Sequence, residues 1–415
     1  MYHRTIDKGL KSSVKSFLTV VCMSVMSAYI VSCGEDRTYE YDELTMPGHY
    51  AEDMMKANYL WGDSLKPLEW KDYFASPAAF LEKLTKQAPN GDKWSYVNID
   101  TLLVDHHERG TFNHVNSYGL DYVIMIDPTG ETTKQYARIL NVYPQSPAFE
   151  CGLERGCFVS LIDGEKVTSK NIEQLKQGRS RTLTVNELGY NAEDGSLFWQ
   201  SENTVMMGSS RKVDEGQVMN SFMVNSTTAY IMLTNLDGDE GVPALKSLLK
   251  TNPRTVIVDL RLCNQGTIDK VLEFASLLSD KSGTFLNTTY KTSRSGENKS
   301  YMIDTPNYTG EIFFITGNYT QGASEWLIQG LKSMSDEGRI HIYGTPSAGQ
   351  DLLLEELQSP YSYTLHYAAA FVTDCTGSPA AKVVPDVKVD EYEYVQLYPY
   401  GHRNEVVLNM ILNGE

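Results

Sequence analysis

The C-terminal half of the chain alternates strand-like and helix-like segments. From residue 229 onward, hydrophobic periodicity predicts four strands that alternate with three helices. The predicted strands cover 229–234, 255–260, 312–316 and 340–343, and the predicted helices cover 242–249, 267–278 and 323–334. Such alternation needs crossover connections, so it predicts an α/β core with a largely parallel sheet. Functional residues on parallel sheets lie at the carboxyl ends of the strands, here the loops 261–267 and 317–322.

Length and charge limit the class of protein further. With 415 residues, the chain is long enough for more than one domain. Hydrophobic residues make up 41% and charged residues 21%, which is typical of a globular protein and excludes a disordered or polytopic membrane chain. The formal net charge of −17 disfavours nucleic acid as a partner, because binding to phosphates requires a basic surface.

The first residues are typical of an export signal. Four basic residues precede an apolar run over 17–31, which is too short for a transmembrane helix. Together with Ser32-Cys33, the end of the run reads IVSC and resembles a bacterial lipobox. The resemblance implies that residues 1–32 are removed as a lipoprotein signal peptide and that Cys33 carries a lipid. An ordinary signal peptide, in which Cys33 is incidental, is the alternative.

The lipobox resemblance also implies a location. An acidic stretch over 33–45 begins at Cys33 and resembles the leader of surface lipoproteins in Bacteroidetes-type bacteria. We therefore expect an acidic tether and an outer-membrane lipoprotein of the cell envelope that faces the periplasm or the cell surface. The protein would contact the membrane through its lipid anchor only.

The segment 46–100 is predicted to be a small helical region. Residues 51–60 place apolar side chains on roughly one helix face. Ser76-Pro77 is typical of an N-cap followed by the first residue of a second helix.

A β-rich region follows at about 115–195. Its strand patterns are separated by Ser146-Pro147-Ala148, by the sequence CGLERGC at 151–157 and by Asp163-Gly164, which suits a tight hairpin turn. This order resembles a PDZ domain of the bacterial protease type, with cysteines where alanine and aspartate are common. The resemblance implies that one loop holds the terminal carboxylate of a bound peptide, namely Ser117, Tyr118, Gly119 and Leu120. A domain that only braces the core is the alternative.

Four motifs in order carry a wider resemblance. They are Asp259-Leu260-Arg261, the segment 314–325 (FITGNYTQGASE), the segment 343–350 (YGTPSAGQ), and Val384-Pro385-Asp386 with the final helix at 405–412. From about residue 50 to the C-terminus, the chain resembles the carboxy-terminal processing, or tail-specific, peptidases of family S41. The resemblance implies an S41 peptidase-like (ClpP/crotonase-like) α/β core over 215–415, with neither metal nor cofactor.

The same resemblance places the serine nucleophile of the family at Gly322 and its lysine base at Gln350. Glycine has no oxygen that can attack a carbonyl, and a glutamine amide is not a base near neutral pH. We therefore predict no catalytic residue. The backbone N–H groups of Ala323 and Gly266 are the candidate oxyanion donors, but they have no effect without a nucleophile.

Two other residues are candidates for a displaced nucleophile. Ser324 lies two positions along the same helix start, and Cys263 lies on the loop nearest the cleft. Because a hydroxyl and a carboxylate both suit unpaired N–H groups at a helix start, we interpret Ser324 and Glu325 as caps. Cys263 is interpreted as a structural thiol, because no histidine partner is evident.

Histidines and the remaining cysteines predict no further site. His106, His107 and His114 cluster before the β-rich region and are interpreted as a solvated linker rather than a metal site. Beyond Cys33, the spacing of the cysteines matches no zinc or redox motif, so their pairing stays open: Cys151, Cys157, Cys263 and Cys375.

Three functions follow from these observations. The first is an inactive S41 homologue, a pseudopeptidase that binds peptides or protein C-terminal tails. The second is an active serine-type peptidase with a displaced nucleophile, and the third is a structural subunit of an envelope complex. The net charge of −17 favours peptide ligands with apolar C-terminal residues and few acidic residues upstream.

Overall fold

The computed structural model describes residues 38–99, 116–214 and 216–414. The predicted signal peptide and Cys33 lie outside these residues, as do His106, His107 and His114. No helix in these three ranges is both long enough and apolar enough to cross a membrane.

The N-terminal region is mostly helical. It contains helix α1 (Thr38–Asn58), two short 3-10 turns, helix α2 (Pro77–Thr85) and strand β1 (Tyr96–Ile99). Ser76 caps α2 as predicted, because its hydroxyl accepts a hydrogen bond from the N–H of Ala79 at 3.4 Å. Two boundaries differ from the prediction. Helix α1 begins inside the stretch 33–45 that was predicted as a tether, and β1 ends the predicted helical region as a strand.

The β-rich domain is built on a six-stranded antiparallel sheet. Its elements are β2 (Asn116–Ser117), β3 (Leu120–Ile126), β4 (Gln135–Val142), α3 (Pro147–Glu150), β5 (Phe158–Ile162), β6 (Glu165–Lys166), β7 (Arg181–Tyr190), β8 (Leu197–Met207) and β9 (Arg211–Lys212). The sheet order is β3-β4-β5-β7-β8, with β6 on β5, and β2 pairs separately with β9. The predicted turn between β5 and β6 is present, with positive φ angles of 51° at Asp163 and 85° at Gly164.

This domain is longer than the predicted range of 115–195. Strand β8 pairs with β7 along its whole length and carries the sheet to Met207. Strand β8 lies at an exposed edge of the sheet and carries many polar side chains. Its sequence therefore lacks the apolar pattern that predicts a strand. The resemblance to a PDZ domain stays a prediction.

The α/β core contains the expected parallel sheet. Its strands are β10 (Val218–Met223), β11 (Thr228–Leu233), β12 (Thr255–Asp259), β15 (Glu311–Thr316), β16 (Ile340–Gly344) and β19 (Val387–Lys388), in the order β10-β11-β12-β15-β16-β19. Only β10 runs antiparallel to its neighbour. The four strands predicted from periodicity correspond to β11, β12, β15 and β16, each within one residue at either end.

Helices cover both faces of this sheet. Helices α4 (Gly241–Leu249), α5 (Ile268–Leu278) and α6 (Ala323–Met334) pack on one face, where Phe274, Leu327 and Phe314 are buried together. Helix α7 (Val406–Asn413) covers the other face and packs against Tyr230 and Ile315. Burial on both faces explains why the central strands are continuously apolar.

A second, five-stranded sheet was not predicted. It consists of β13 (Gly283–Tyr290), β14 (Lys299–Ile303), β17 (Leu352–Gln358), β18 (Tyr363–Asp374) and β1 from the N-terminal region. The long strand β18 pairs with β1, β13 and β17. This sheet therefore joins the N-terminal helical region to the core, and the two do not form separate units.

The segment 391–400 connects the β-rich domain to the core. Arg155 of the β-rich domain is 6% exposed, donates to the carbonyl of Tyr398 at 2.6 Å and lies 2.8 Å from Glu391. Arg138 is equally buried and donates to the carbonyl of Val395 at 3.0 Å. Buried arginines that bond backbone carbonyls of another segment fix the orientation of the domain.

Candidate functional site

Strand β12 leads into Arg261, which is 4% exposed. Its guanidinium lies 2.6 Å from Asp259 and 2.7 Å from Glu405, and it also contacts Glu391. Three carboxylates around one guanidinium hold the loop at the carboxyl end of β12 in place. The sequence motifs include Asp259, Arg261 and the segment that starts at Glu405, but they did not predict that Glu391 and Glu405 contact Arg261. The two glutamates lie 130 and 144 residues away along the chain.

Helix α6 begins directly after Gly322, whose φ and ψ angles are 56° and −110°. Residues other than glycine rarely adopt these backbone angles, because a Cβ atom makes them unfavourable. A Cβ atom added at Gly322 would lie 3.3 Å from Oε1 of Gln350 and 3.4 Å from its Nε2. The two positions that the sequence resemblance assigns to nucleophile and base therefore face each other.

Gln350 is held rigidly by its neighbours and is 6% exposed. Its Oε1 accepts a hydrogen bond from Gln321 Nε2 at 2.7 Å, and its Nε2 donates to the carbonyl of Leu352 at 2.9 Å. Its backbone carbonyl accepts from Trp326 Nε1 at 3.0 Å. A neutral carboxamide in this network has no lone pair basic enough to take a proton from a nucleophile.

Glu325 joins the two facing segments. Its side chain is completely buried and accepts hydrogen bonds from the N–H groups of Gly322 at 2.9 Å, Gly349 at 2.6 Å and Gln350 at 2.7 Å. The hydroxyl of Ser347 also donates to it. Burial raises the pKa of Glu325, and these four donors oppose the shift. The cap prediction for Glu325 is confirmed, but its tie to residues 347–350 was missed.

Neither alternative nucleophile faces the cleft. Ser324 is completely buried, and its hydroxyl donates to the carbonyl of Cys263 at 3.0 Å. The cap prediction for Ser324 is therefore wrong, because the hydroxyl bonds another loop instead of the helix start. Cys263 is also completely buried and belongs to the apolar core under α5 and α6. A substrate carbonyl cannot reach either group without local unfolding.

The two candidate oxyanion donors are neighbours. A Cβ atom added at Gly266 would lie 2.6 Å from the Cβ of Ala323 and 2.7 Å from that of Leu236. Only glycine fits this contact between the loop after β12 and the start of α6. The two backbone positions therefore lie side by side, but Gly322 supplies no nucleophile that could create an oxyanion.

The predicted peptide-binding loop is buried. Ser117, Tyr118 and Leu120 are each less than 5% exposed. The N–H of Tyr118 donates to the carbonyl of Lys176 at 3.2 Å, and the N–H of Gly119 donates to the hydroxyl of Ser117 at 2.9 Å. Two of the amides that the resemblance assigns to a peptide carboxylate therefore already have partners inside the domain.

A cavity of about 290 Å³ lies between the β-rich domain and the core, at the carboxyl ends of β12, β15 and β16. Leu140 lines it from the β-rich domain, and Leu262, Asn318 and Thr345 line it from the core. The cavity adjoins the loop 317–321, which leads to Gly322. The cavity could hold part of a bound ligand next to this loop.

The described residues contain no group of three or more histidine, cysteine or carboxylate side chains that could hold a metal. Of the cysteines whose pairing the sequence left open, Cys151, Cys157 and Cys375 are free thiols. Burial raises the pKa of Cys157 to about 12, so its thiol stays protonated at neutral pH.

Known proteins share this architecture. The family described as peptidase family S41 matches residues 227–389, and the peptidase S41 N-terminal domain matches residues 50–96. A crystal structure of a candidate S41 protease from Bacteroides fragilis is 23% identical and has a TM-score of 0.77, and the match covers 88% of this chain and 97% of that one. A photosystem II D1 C-terminal processing protease is a weaker likeness, 16% identical with a TM-score of 0.48, over 83% of this chain and 93% of that one. No curated protein matches.

The chain has a mixed α/β fold that is shared with S41 peptidases. A helix start faces a glycine-containing loop at the carboxyl ends of parallel strands, and a helical N-terminal region is joined to the core by a second sheet. The chain is a homologue of the S41 peptidases.

Proposed function

We propose that this protein is a non-catalytic S41 homologue that binds peptides or protein C-terminal tails. The observation that carries the proposal is the pair Gly322 and Gln350, which face each other where the resemblance places nucleophile and base. The burial of Ser324 and Cys263 supports it, because neither can act as a substitute nucleophile from its present position. The cleft between the start of α6 and the loop that contains Gln350 is retained without a nucleophile or a base. Such a cleft can bind a peptide without cleaving it.

Peptide binding is supported by an open sheet edge. Among the described residues, β3 pairs with β4 only. Val123 and Ile126 on β3 are 43% and 61% exposed. Extended peptides add to such edges through backbone hydrogen bonds, and proteins that do not use an exposed apolar edge usually protect it.

Absence of catalysis can be tested with a fluorophosphonate probe that labels nucleophilic serines. We expect no labelling of the purified protein, because Gly322 has no side-chain oxygen and Ser324 is buried. An active S41 peptidase under the same conditions serves as the positive control. Labelling that disappears in Ser324→Ala would contradict the proposal and favour a displaced nucleophile.

The proposal that the protein binds peptides can be tested by titrating it with fluorescent free-acid peptides that have apolar C-terminal residues. Because a short peptide must be ordered on binding, we expect dissociation constants on the order of micromolar or weaker. Val123→Ser with Ile126→Ser should weaken binding, whereas Met206→Ser, at an exposed position on the opposite edge strand β8, should not. If no peptide binds below millimolar concentration, the β-rich domain is a structural brace.

We also propose that the protein is anchored in the cell envelope by a lipid on Cys33. The support is the IVSC sequence at the end of the apolar run. Cys33→Ala should move the protein from the membrane fraction to the soluble fraction, whereas Cys151→Ala should leave it in place. Retention of the Cys33→Ala protein in the membrane fraction would exclude this anchor.

A further inference from the structure

Basic residues of the β-rich domain are concentrated at one end. Of the ten lysines and arginines in residues 116–214, seven lie in two short segments: Lys166, Lys170, Lys176, Arg179, Arg181, Arg211 and Lys212. The two segments are adjacent in space. Gly178 donates to the hydroxyl of Ser210 at 2.9 Å, and Ser210 donates back to the carbonyl of Gly178 at 2.9 Å. We call this set of seven residues the basic surface.

The basic surface keeps a positive charge after its ion pairs are counted. Arg179 and Arg181 share a single carboxylate, Asp163, at 2.9 and 2.8 Å. Lys176 pairs with Glu173 and Arg211 pairs with Glu150. With Glu165 and Asp214 included, five carboxylates of the described residues oppose seven cations, which leaves a formal charge of +2 on a chain whose net charge is −17.

Three of these cations are well exposed, and two of the three have no ion pair with a described residue. Lys170 and Lys212 are exposed and have no ion pair with any residue in the described ranges. The side chain of Arg179 is 74% exposed. A ligand carboxylate could contact these groups without displacing a buried partner.

The basic surface adjoins the first residues of the open strand β3. Strand β2, three residues before β3, pairs with β9, which consists of Arg211 and Lys212. The N–H of Tyr118 bonds the carbonyl of Lys176. Farther along β3, Tyr122 packs against the apolar cluster that contains Ile172 and Leu175, so the 3-10 turn Ile172–Leu175 and the strand share one core. A peptide lying along β3 would therefore reach the basic surface at the Leu120 end.

Two backbone N–H groups at the Leu120 end of β3 are not available to a ligand. Those of Tyr118 and Gly119 bond Lys176 and Ser117 inside the domain. Negative charge on a bound peptide must therefore be balanced by nearby side chains. At physiological ionic strength, charges more than about 8 Å apart are largely screened, so the local cations outweigh the distant negative charge of the whole chain.

We propose that the basic surface recognises acidic residues in a peptide bound along β3. This inference rests on the proposed peptide-binding function and adds the class of ligand, peptides with clustered aspartate or glutamate. It reverses the expectation from net charge, which favoured ligands with few acidic residues. The carboxylates would contact Lys170, Arg179 and Lys212, while apolar residues of the ligand pack on Val123 and Ile126.

The test uses three peptides with the same apolar C-terminal residues and either glutamate, glutamine or lysine upstream, titrated against the whole protein by fluorescence anisotropy. We expect the glutamate peptide to bind roughly tenfold more tightly than the lysine peptide at low salt, with the difference shrinking as salt is added. Lys170→Glu with Lys212→Glu should abolish this preference. Lys246→Glu on α4, with Lys250→Glu directly after that helix, changes the net charge equally and should preserve the preference.

Each other outcome has a distinct meaning. Equal binding of the three peptides would overturn the inference and leave the proposed function intact. Binding of none would contradict the proposed function and the inference with it. If both double variants weaken the glutamate peptide equally, net charge rather than the basic surface is responsible, and the inference fails. Binding to anionic phospholipid vesicles without any peptide preference would reassign the surface to a membrane contact.

Discussion

Replacing Arg261 with methionine should lower the free energy of unfolding by roughly 3–5 kcal/mol. The guanidinium is 4% exposed and bonds Asp259, Glu391 and Glu405. Removing it leaves three buried carboxylates with Arg155 as the nearest remaining cation, and uncompensated buried charge is costly. Urea denaturation of the purified protein measures the change.

A matched control shows whether the loss of stability comes from the buried ion pairs of Arg261 or from the loss of one positive charge. Arg403→Met removes the same group from an exposed position and should change stability by less than about 0.5 kcal/mol. Arg261→Lys should lie between the two, because lysine restores the charge but not the planar fork that contacts several carboxylates at once. If Arg261→Met were as stable as Arg403→Met, the cluster would contribute nothing to the fold.

The second large effect is expected for Glu325→Gln, at about 2–4 kcal/mol. The carboxylate accepts hydrogen bonds from three backbone N–H groups and from the hydroxyl of Ser347. A glutamine turns an NH₂ donor toward these donors, so at least one buried N–H loses its partner. Denaturant unfolding gives the loss of stability, and Glu337→Gln, at an exposed position, is the control.

A second readout locates the effect of Glu325→Gln. Trp326 Nε1 donates to the carbonyl of Gln350 at 3.0 Å. If Glu325 holds the loop 347–350 against α6, its replacement should loosen this bond and shift the tryptophan emission, which Glu337→Gln should not do. An unchanged emission together with wild-type stability would show that Glu325 does not position Gln350.

The pH dependence of Glu325 has a definite sign. Burial raises the pKa of Glu325 above its usual 4.5, so the folded protein keeps this proton to a higher pH than the unfolded chain does. Its ionisation therefore costs stability as the pH rises from about 4.5 through the pKa of the folded state. Glutamine does not ionise, so the stability advantage of the wild type over Glu325→Gln should shrink over that interval.

The parallel sheet was predictable because its signal is local. Strands β11, β12, β15 and β16 are short apolar runs bounded by turns, and burial on both faces makes such runs continuous in sequence. The start of α6 was also predictable, since Gly322 precedes a segment of regular helical periodicity. The positions of Gly322 and Gln350 in the motifs came from family resemblance, which local periodicity does not contain.

The second sheet was missed because its strands do not look like strands locally. Strand β17 has the sequence LLLEELQ, whose residues favour helices, and β18 contains Ala368, Ala369 and Ala370. Both are strands because β17 pairs with β18 along its length and β18 packs Ala368 and Ala369 in the core under α1 and α2. Tertiary pairing outweighs a propensity of a few tenths of a kcal/mol per residue.

The amino-acid sequence by itself determined the order of strands β11, β12, β15 and β16 and of the helices between them. Through the family resemblance it also predicted that the dyad positions are Gly322 and Gln350. The tertiary structure places Gly322 opposite Gln350, as the family resemblance predicted. Only the tertiary structure decided that Glu391 and Glu405 join Arg261 and that the two basic segments meet at Gly178 and Ser210. The physical reason is distance along the chain. Periodicity and turn chemistry act over a few residues, whereas buried charges and facing loops depend on contacts between segments that are far apart in sequence and close in space.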